Sequence, residues 1–165
     1  MQRQLPNAIV RSAGTARTGA ALDPHTLSAA RDVGVELDDH VSRAVDRATL
    51  HEDGADLVLV MTRQHLREVV GIDPSVWPRP FTLKELARRA EQFDPAAPGE
   101  RVGSWLRRVG AGRQARDLMT PSTADDVADP YGAPRRDHVA MLEEVSAAVD
   151  VIARRGPWHS DPDEP

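Results

Sequence analysis

The stretch that decides the fold is Ala55-Asp56-Leu57-Val58-Leu59-Val60-Met61. Its unbroken Leu57-Val58-Leu59-Val60 centre lacks polar alternation, as expected of a strand covered on both faces in a parallel sheet. Such a strand needs helices on either side of it, and the flanking sequence supplies them. Downstream, Thr62 is placed to cap a helix that buries Leu66, Val69 and Val70 and stops at Gly71. Pro74, Pro78 and Pro80 then bracket Arg79-Pro80-Phe81, a marginal strand over 80–83. Thr82-Leu83-Lys84-Glu85 has the form of a capping box and opens a helix carrying Leu83, Leu86 and Ala90.

Working upstream, Ala8–Arg11 reads as a second strand that runs into the turn Ser12-Ala13-Gly14-Thr15. Asp23-Pro24 opens a helix, because Asp satisfies a free backbone N–H and Pro has none to lose at the first position. Leu27, Ala30 and Val33 mark its inner face and Gly34 ends it, with a marginal strand at 35–37. At the far end Val139, Leu142, Val145, Val149 and Ile152 recur at steps of three and four, the stripe of an amphipathic helix closed by Gly156-Pro157. Strands alternating with helices predict an α/β fold with a parallel sheet flanked by helices. Residues 1–156 are expected to form one domain, with an irregular excursion over 94–126 that holds at most a short helix. Residues 157–165 are expected to be a disordered tail.

Composition narrows the function. The chain has 165 residues, 21 Lys plus Arg against 26 Asp plus Glu, and a formal net charge of -5. That balance disfavours nucleic-acid binding, which is driven by phosphate neutralisation. Mean hydropathy is -0.47, no apolar run approaches the ~20 residues of a spanning helix, and the N-terminus lacks the apolar stretch of a signal peptide. A cytoplasmic protein with no membrane partner is expected. The chain contains no Cys, so these residues hold no disulfide, thiolate metal site or cysteine nucleophile. Lys84 is the single Lys and follows no glycine-rich turn, which removes the Walker-type phosphate loop and any Schiff-base lysine. The near-exclusive use of Arg suggests a GC-rich bacterial genome. The six His never fall at i, i+3 or i, i+4 spacing, so no metal site is expected.

Two features carry candidate chemistry. Five arginines between Arg101 and Arg116 could bind an anion, although such a run more often marks a solvated face. Asp129 precedes Pro130 in the turn Asp129-Pro130-Tyr131-Gly132. On the residues alone it reads either as a turn initiator or as an exposed loop carboxylate available for proton transfer.

The order of segments is more specific than any one of them. Val10-Arg11-Ser12-Ala13-Gly14-Thr15, then Asp23-Pro24, then Gly34-Val35-Glu36-Leu37 and His40-Val41-Ser42-Arg43, resemble the low-molecular-weight protein tyrosine phosphatases. Residues 55–61 are similar to their next strand, and Asp129-Pro130-Tyr131-Gly132 ahead of one C-terminal helix is similar to their general-acid loop. The likeness implies the fold of that family, a parallel sheet of four strands. It also implies hydrolysis of a phosphotyrosine protein or a small phosphomonoester through a phosphocysteine intermediate, with no cofactor. By resemblance Asp129 is the general acid and base, Tyr131 a wall of the substrate slot, and Ser12 and His40 supports of the phosphate-binding loop.

The chain departs from that pattern at its start. In the family an interior strand, the Cys-x5-Arg-Ser/Thr phosphate loop and a helix precede the Ser-Ala-Gly-Thr segment, whereas residues 1–8 here contain no such loop and no Cys occurs anywhere. A Ser or Thr lacks the low pKa that makes the Cys an anion. The expectation is therefore a phosphatase-like chain without its first strand and nucleophile loop, inactive as given, whose helices must re-pack over the gap. A late start codon is one origin. The alternative is a catalytically dead phosphatase-like module with a binding or regulatory role. An arsenate reductase of the same fold, which relays electrons through several cysteines, is disfavoured.

Overall fold

The 55–61 run forms a strand at its centre, Val58–Val60. The structure, a computed structural model, describes residues 8–15, 22–35, 37, 43–51, 55–120 and 122–158. Strand β1 (Val58–Val60) pairs in parallel with β2 (Pro80–Thr82), Val58 opposite Pro80 and Val60 opposite Thr82. The crossover between them is helix α3 (Arg63–Ile72), followed by a 3-10 turn at Pro74–Val76. Thr62 caps α3 by accepting from His65 N at 3.1 Å, and Thr82 caps α4 (Leu83–Glu91) by accepting from Glu85 N at 3.2 Å. Both caps follow from the sequence. Each strand thus ends in a hydroxyl that satisfies a free donor of the next helix.

Alternate residues of β1 enter separate cores. Leu57 and Leu59 pack with Phe81, α4, helix α5 (Val102–Val109) and the second half of helix α6 (Arg135–Arg155). Val58 and Val60 pack with Leu50, Leu66, Val69, Val76 and Leu118 on the opposite side. A sheet covered on both faces is the reason the strand carries no polar alternation. Two further helices complete the packing: α1 (Pro24–Asp32), capped by Asp23, lies against α6, and the five-residue α2 (Arg47–His51) contributes Leu50 to the second core. Helix α2 is tied to the end of α3 through Asp73, which contacts His51 Nε2 at 2.6 Å and Arg47 Nε at 3.2 Å. No helix among the described residues is long and apolar enough to cross a membrane.

Three expectations change. Residues 8–11 are not a strand; the Ile9 side chain is 83% exposed, and the backbone pairing nearby is an isolated parallel bridge from Gly14 to Ala44. An apolar run becomes a strand only where a sheet edge receives it. Among the described residues β1 gives one edge to β2 and no strand pairs with residues 8–13. The 94–126 segment is not mainly a surface excursion: α5 buries Trp105, Leu106 and Val109 in the main core, and the 3-10 turn Ala115–Met119 buries Leu118. The tail does not begin at residue 157. Trp158 is buried edge-on against Trp105 with ring centroids 5.7 Å apart, and its Nε1 donates to the Ile152 carbonyl at 2.7 Å. Gly156 is required beneath it, since a Cβ there would lie 2.2 Å from the indole nitrogen. Residues 159–165, His40 and most of the marginal 35–37 strand's surroundings (36 and 38–42) lie outside the described residues.

Candidate active site

The Asp129–Gly132 loop is fastened at the C-terminal end of β1 by Asp125, Asp126 and Val127, just ahead of it. Val127 is buried and its N–H donates to the Met61 carbonyl at 2.8 Å. Asp126 Oδ1 accepts from Arg63 N at 2.6 Å, which satisfies another free donor in the first turn of α3. Lys84 Nζ binds the Asp126 carbonyl at 3.1 Å and Glu144 at 2.6 Å, linking the loop to α4 and α6. Asp125 takes a bidentate grip from Arg88, with Nε at 3.0 Å and Nη2 at 2.7 Å. That guanidinium holds the Asp125 carboxyl below its usual range, against the opposing effect of burial.

The loop itself is exposed. Asp129 Oδ1 accepts from Tyr131 N at 3.0 Å, Ala133 N donates to the Pro130 carbonyl at 2.8 Å, and Gly132 takes a left-handed φ of 73° with open space around it. This Asx turn follows from the sequence, because Asp bonds its backbone two residues on and Gly accepts the positive φ. The Asp129 carboxylate is thus joined to the Tyr131 backbone, and Tyr131 is 79% exposed. Ser12 is also exposed. Its carbonyl accepts from Arg43 Nη2 at 3.4 Å, and no hydrogen bond joins it to the 129–132 loop.

A cleft of about 140 Å³ opens between the end of β1, β2 and α4, lined by Arg63, Glu85, Arg88, Arg89, Arg113 and Asp125 among others. Its arginines are largely committed. Arg113 lies between the rings of Phe81 and Trp77, at 3.6 and 4.5 Å from their centroids. Its guanidinium donates to Glu85 at 2.8 Å and to the carbonyls of Pro78 and Pro80 at 3.1 and 2.6 Å. Of the arginine run singled out in the sequence, Arg113 is thus buried structure, and Arg108 is paired with Glu100 at 2.7 Å. Arg107 donates to Ser104 Oγ at 3.1 Å.

Sequence reasoning gave Asp23 only a capping role and did not single out Thr26 or His138. His138 lies on the first turn of α6, fully buried, with Nδ1 2.9 Å from Thr26 Oγ1. One signal was available. The spacing His138, Leu142, Val145, Val149, Ile152 continues the inner stripe of the helix backward by four, which places an imidazole where an apolar side chain is expected. No group of three or more metal-ligating side chains occurs among the described residues.

The chain is similar to known proteins in sequence and fold. The family model for low molecular weight phosphotyrosine protein phosphatase matches residues 1–98. A protein-arginine-phosphatase of Geobacillus stearothermophilus is 25% identical over 154 residues, 93% of this chain and 80% of that protein. The solved structure of the YwlE arginine phosphatase from the same organism superposes with a TM-score of 0.63 at 25% identity, over 92% of this chain and 76% of that one. The tyrosine phosphatase Wzb from Escherichia coli K30, in complex with sulphate, matches with a TM-score of 0.64 over 92% of this chain and 81% of that chain. At 18% identity it shows the fold alone. With more than half of its length matched by the family model, the chain belongs to the low molecular weight phosphotyrosine protein phosphatase family.

Proposed function

We propose that these 165 residues carry the proton-transfer side of a phosphoprotein phosphatase and do not by themselves cleave phosphate esters. The observation that carries the reading is the pairing of an anchored Asp129-Pro130-Tyr131 loop with a sequence that contains no Cys. In the family chemistry a thiolate attacks phosphorus, the bond to the leaving group breaks, and the leaving atom, the phenolic oxygen of phosphotyrosine or the guanidino nitrogen of phosphoarginine, takes a proton from the loop Asp. The resulting carboxylate then removes a proton from the water that hydrolyses the phosphocysteine. Asp129 is suited to both proton steps because it is exposed and its one recorded bond is to the adjacent backbone. Tyr131 forms a wall of the slot in which the phosphorylated side chain would lie. The substrate class is a phosphorylated protein side chain, phosphotyrosine or phosphoarginine, as the names of the relatives suggest. Ser12 and His40 serve as supports to a phosphate loop where one is present. The test is turnover of p-nitrophenyl phosphate and of a phosphoarginine peptide by the purified 165-residue chain. No release above buffer is expected, and turnover that Asp129→Asn abolishes would overturn the reading by requiring another nucleophile.

A second reading, a binding or regulatory module without catalysis, is favoured by the prominence of Tyr131, whose ring stands clear of the surface on a firmly anchored loop. Binding of a phosphotyrosine peptide that Tyr131→Ala removes, in the absence of turnover, distinguishes this reading from the first.

A further inference from the structure

The Asp129–Gly132 loop leaves the sheet on one side and enters α6 on the other, and its two sides are held by different means. On the entry side Val127 is buried and bonded to the Met61 carbonyl, while Asp125 and Asp126 are tied to Arg88 and to the first turn of α3. On the exit side the loop runs into the first half of α6, where burial is sparse. The buried apolar residues of that helix, Ala148, Val149, Ile152 and Ala153, all lie in its second half, and His138 is the one buried residue ahead of them. Burial therefore fixes the far end of α6 more firmly than the near end, where placement depends more on polar ties.

Lys84 spans the two sides. From the first turn of α4 its ammonium donates to the Asp126 carbonyl at 3.1 Å, ahead of the loop, and to Glu144 Oε1 at 2.6 Å, on α6 beyond it. Among the described residues no other side chain bonds both sides of the loop. An ammonium suits the position because it carries three donors on one charge and can serve acceptors from two elements at once. Arg88, one turn further along the same face of α4, grips Asp125, so the helix presents two cations to the base of the loop. Lys84 is 29% exposed and Glu144 40% exposed. An ion pair that wet adds little to global stability. What it fixes is a distance, the span between the entry and the exit of the loop.

We propose that Lys84 is a positioning residue for the Asp129–Gly132 loop, a single ammonium that closes the loop at its base and so sets where Asp129 and Tyr131 stand. Without the cation Asp126 keeps its bond to α3, but the near half of α6 is released from it and the exit of the loop shifts. Charge matters as well as length, since the same group must satisfy a carbonyl on one side and a carboxylate on the other. Lys84 touches no reacting atom and acts through the loop alone. Its bearing on catalysis rests on Asp129 being the general acid.

The placement of the loop is measured without turnover, so this reading and that of the proton-transfer role fail separately. Tyr131 is the single tyrosine of the chain, and 3-fluorotyrosine incorporated into the 165-residue protein gives one fluorine resonance that reports the loop. Lys84→Met keeps an unbranched stem and removes the cation. Its fluorine resonance is expected to move and broaden, and Lys84→Arg is expected to bring it back toward the parent position. The Val127 N–H, bonded to the Met61 carbonyl at 2.8 Å, is expected to exchange with solvent about tenfold faster in Lys84→Met, the scale of one charge-assisted hydrogen bond. The Asp73 N–H, bonded to the Val69 carbonyl at 3.1 Å at the far end of α3, is expected to exchange at the parent rate. Glu144→Gln leaves the Asp126 bond in place and is expected to shift the fluorine resonance in the same direction by less, which keeps the test decisive where the Lys84→Met chain folds poorly. A Lys84→Met resonance at the parent position, or equal acceleration of the Val127 and Asp73 amides, overturns the proposal. So does a Lys84→Arg spectrum no closer to the parent than that of Lys84→Met, or a Glu144→Gln resonance that does not move.

Discussion

Glu85→Gln is the substitution whose cost the structure defines most closely. The Glu85 carboxylate, 12% exposed, is shared by two guanidinium groups, Arg113 Nε at 2.8 Å and Arg89 Nε at 2.9 Å. The Arg113 side chain is 4% exposed and lies between two aromatic rings, so it has no route to water when its carboxylate is neutralised. Removing one partner of a buried pair costs about 3–5 kcal/mol. Two features favour the lower end: Arg113 keeps its bonds to the Pro78 and Pro80 carbonyls, and Arg89, the more accessible of the two arginines, can turn toward solvent. About 3 kcal/mol corresponds to a melting temperature lower by roughly 6–12 °C for a chain of this size. Arg113→Met removes the cation while keeping an apolar stem between the rings, and Arg89 still serves Glu85, so its effect should be smaller. Urea denaturation of both single variants and the double variant, followed by circular dichroism, gives the coupling directly. The double variant should cost less than the sum by about 1 kcal/mol or more. Glu85→Gln within about 0.5 kcal/mol of the parent, or strict additivity, would refute the claim that this carboxylate is held in a buried network.

Two further outcomes follow from other parts of the fold. Asp73 is held far below the ordinary carboxylate range, first by the Ser75 hydroxyl, then by His51, the Ser75 N–H and Arg47. A depressed folded-state pKa means that its contribution is present above about pH 4 and is lost as pH falls below that value, so acid denaturation of Asp73→Asn should be shallower than that of the parent protein. Trp105→Ala removes a fully buried indole from the contact with Trp158 and should cost about 3–5 kcal/mol by the same denaturation measurement.

The elements legible in the sequence are those whose neighbours lie within a few residues. Thr62 and Thr82 announce their helices because a cap is satisfied three residues on, and the 57–60 run announces a two-sided strand because burial on both faces leaves no room for polar alternation. Asp129-Pro130-Tyr131-Gly132 is legible for the same reason, its turn being made of its own side chain and a glycine. Arg113 was unreadable. Its charge argues for solvent, and only the return of Trp77 and Phe81 from the distant 77–81 segment makes its site a buried one. Helix α5 was obscured by Gly99, Gly103, Gly110 and the surrounding arginines, since its buried side chains Trp105, Leu106 and Val109 give only one turn of periodicity. For residues 8–11 the apolar pattern is present, yet the structure sets them outside the two-stranded sheet, and no pattern within a strand encodes its neighbour.

The three aspartates that lead into the loop divide its work by environment. Asp125 is gripped by Arg88 through two bonds, and that guanidinium stabilises its anion, which makes it an anchor that resists protonation. Asp126 is committed through one oxygen to the first turn of α3 and through its carbonyl to Lys84. Among the described residues Asp129 has neither a cation nor a helix end to satisfy, and its side chain bonds the Tyr131 N–H beside it. Taking up and giving back a proton disturbs least where the fewest bonds depend on the charge, and by that measure Asp129 is the carboxylate of the segment suited to the task. The anchors also explain why an exposed residue can be placed accurately. Asp125, Asp126 and Val127 fix the loop to α4, α3 and the end of β1, so Asp129 projects from a base with three independent attachments.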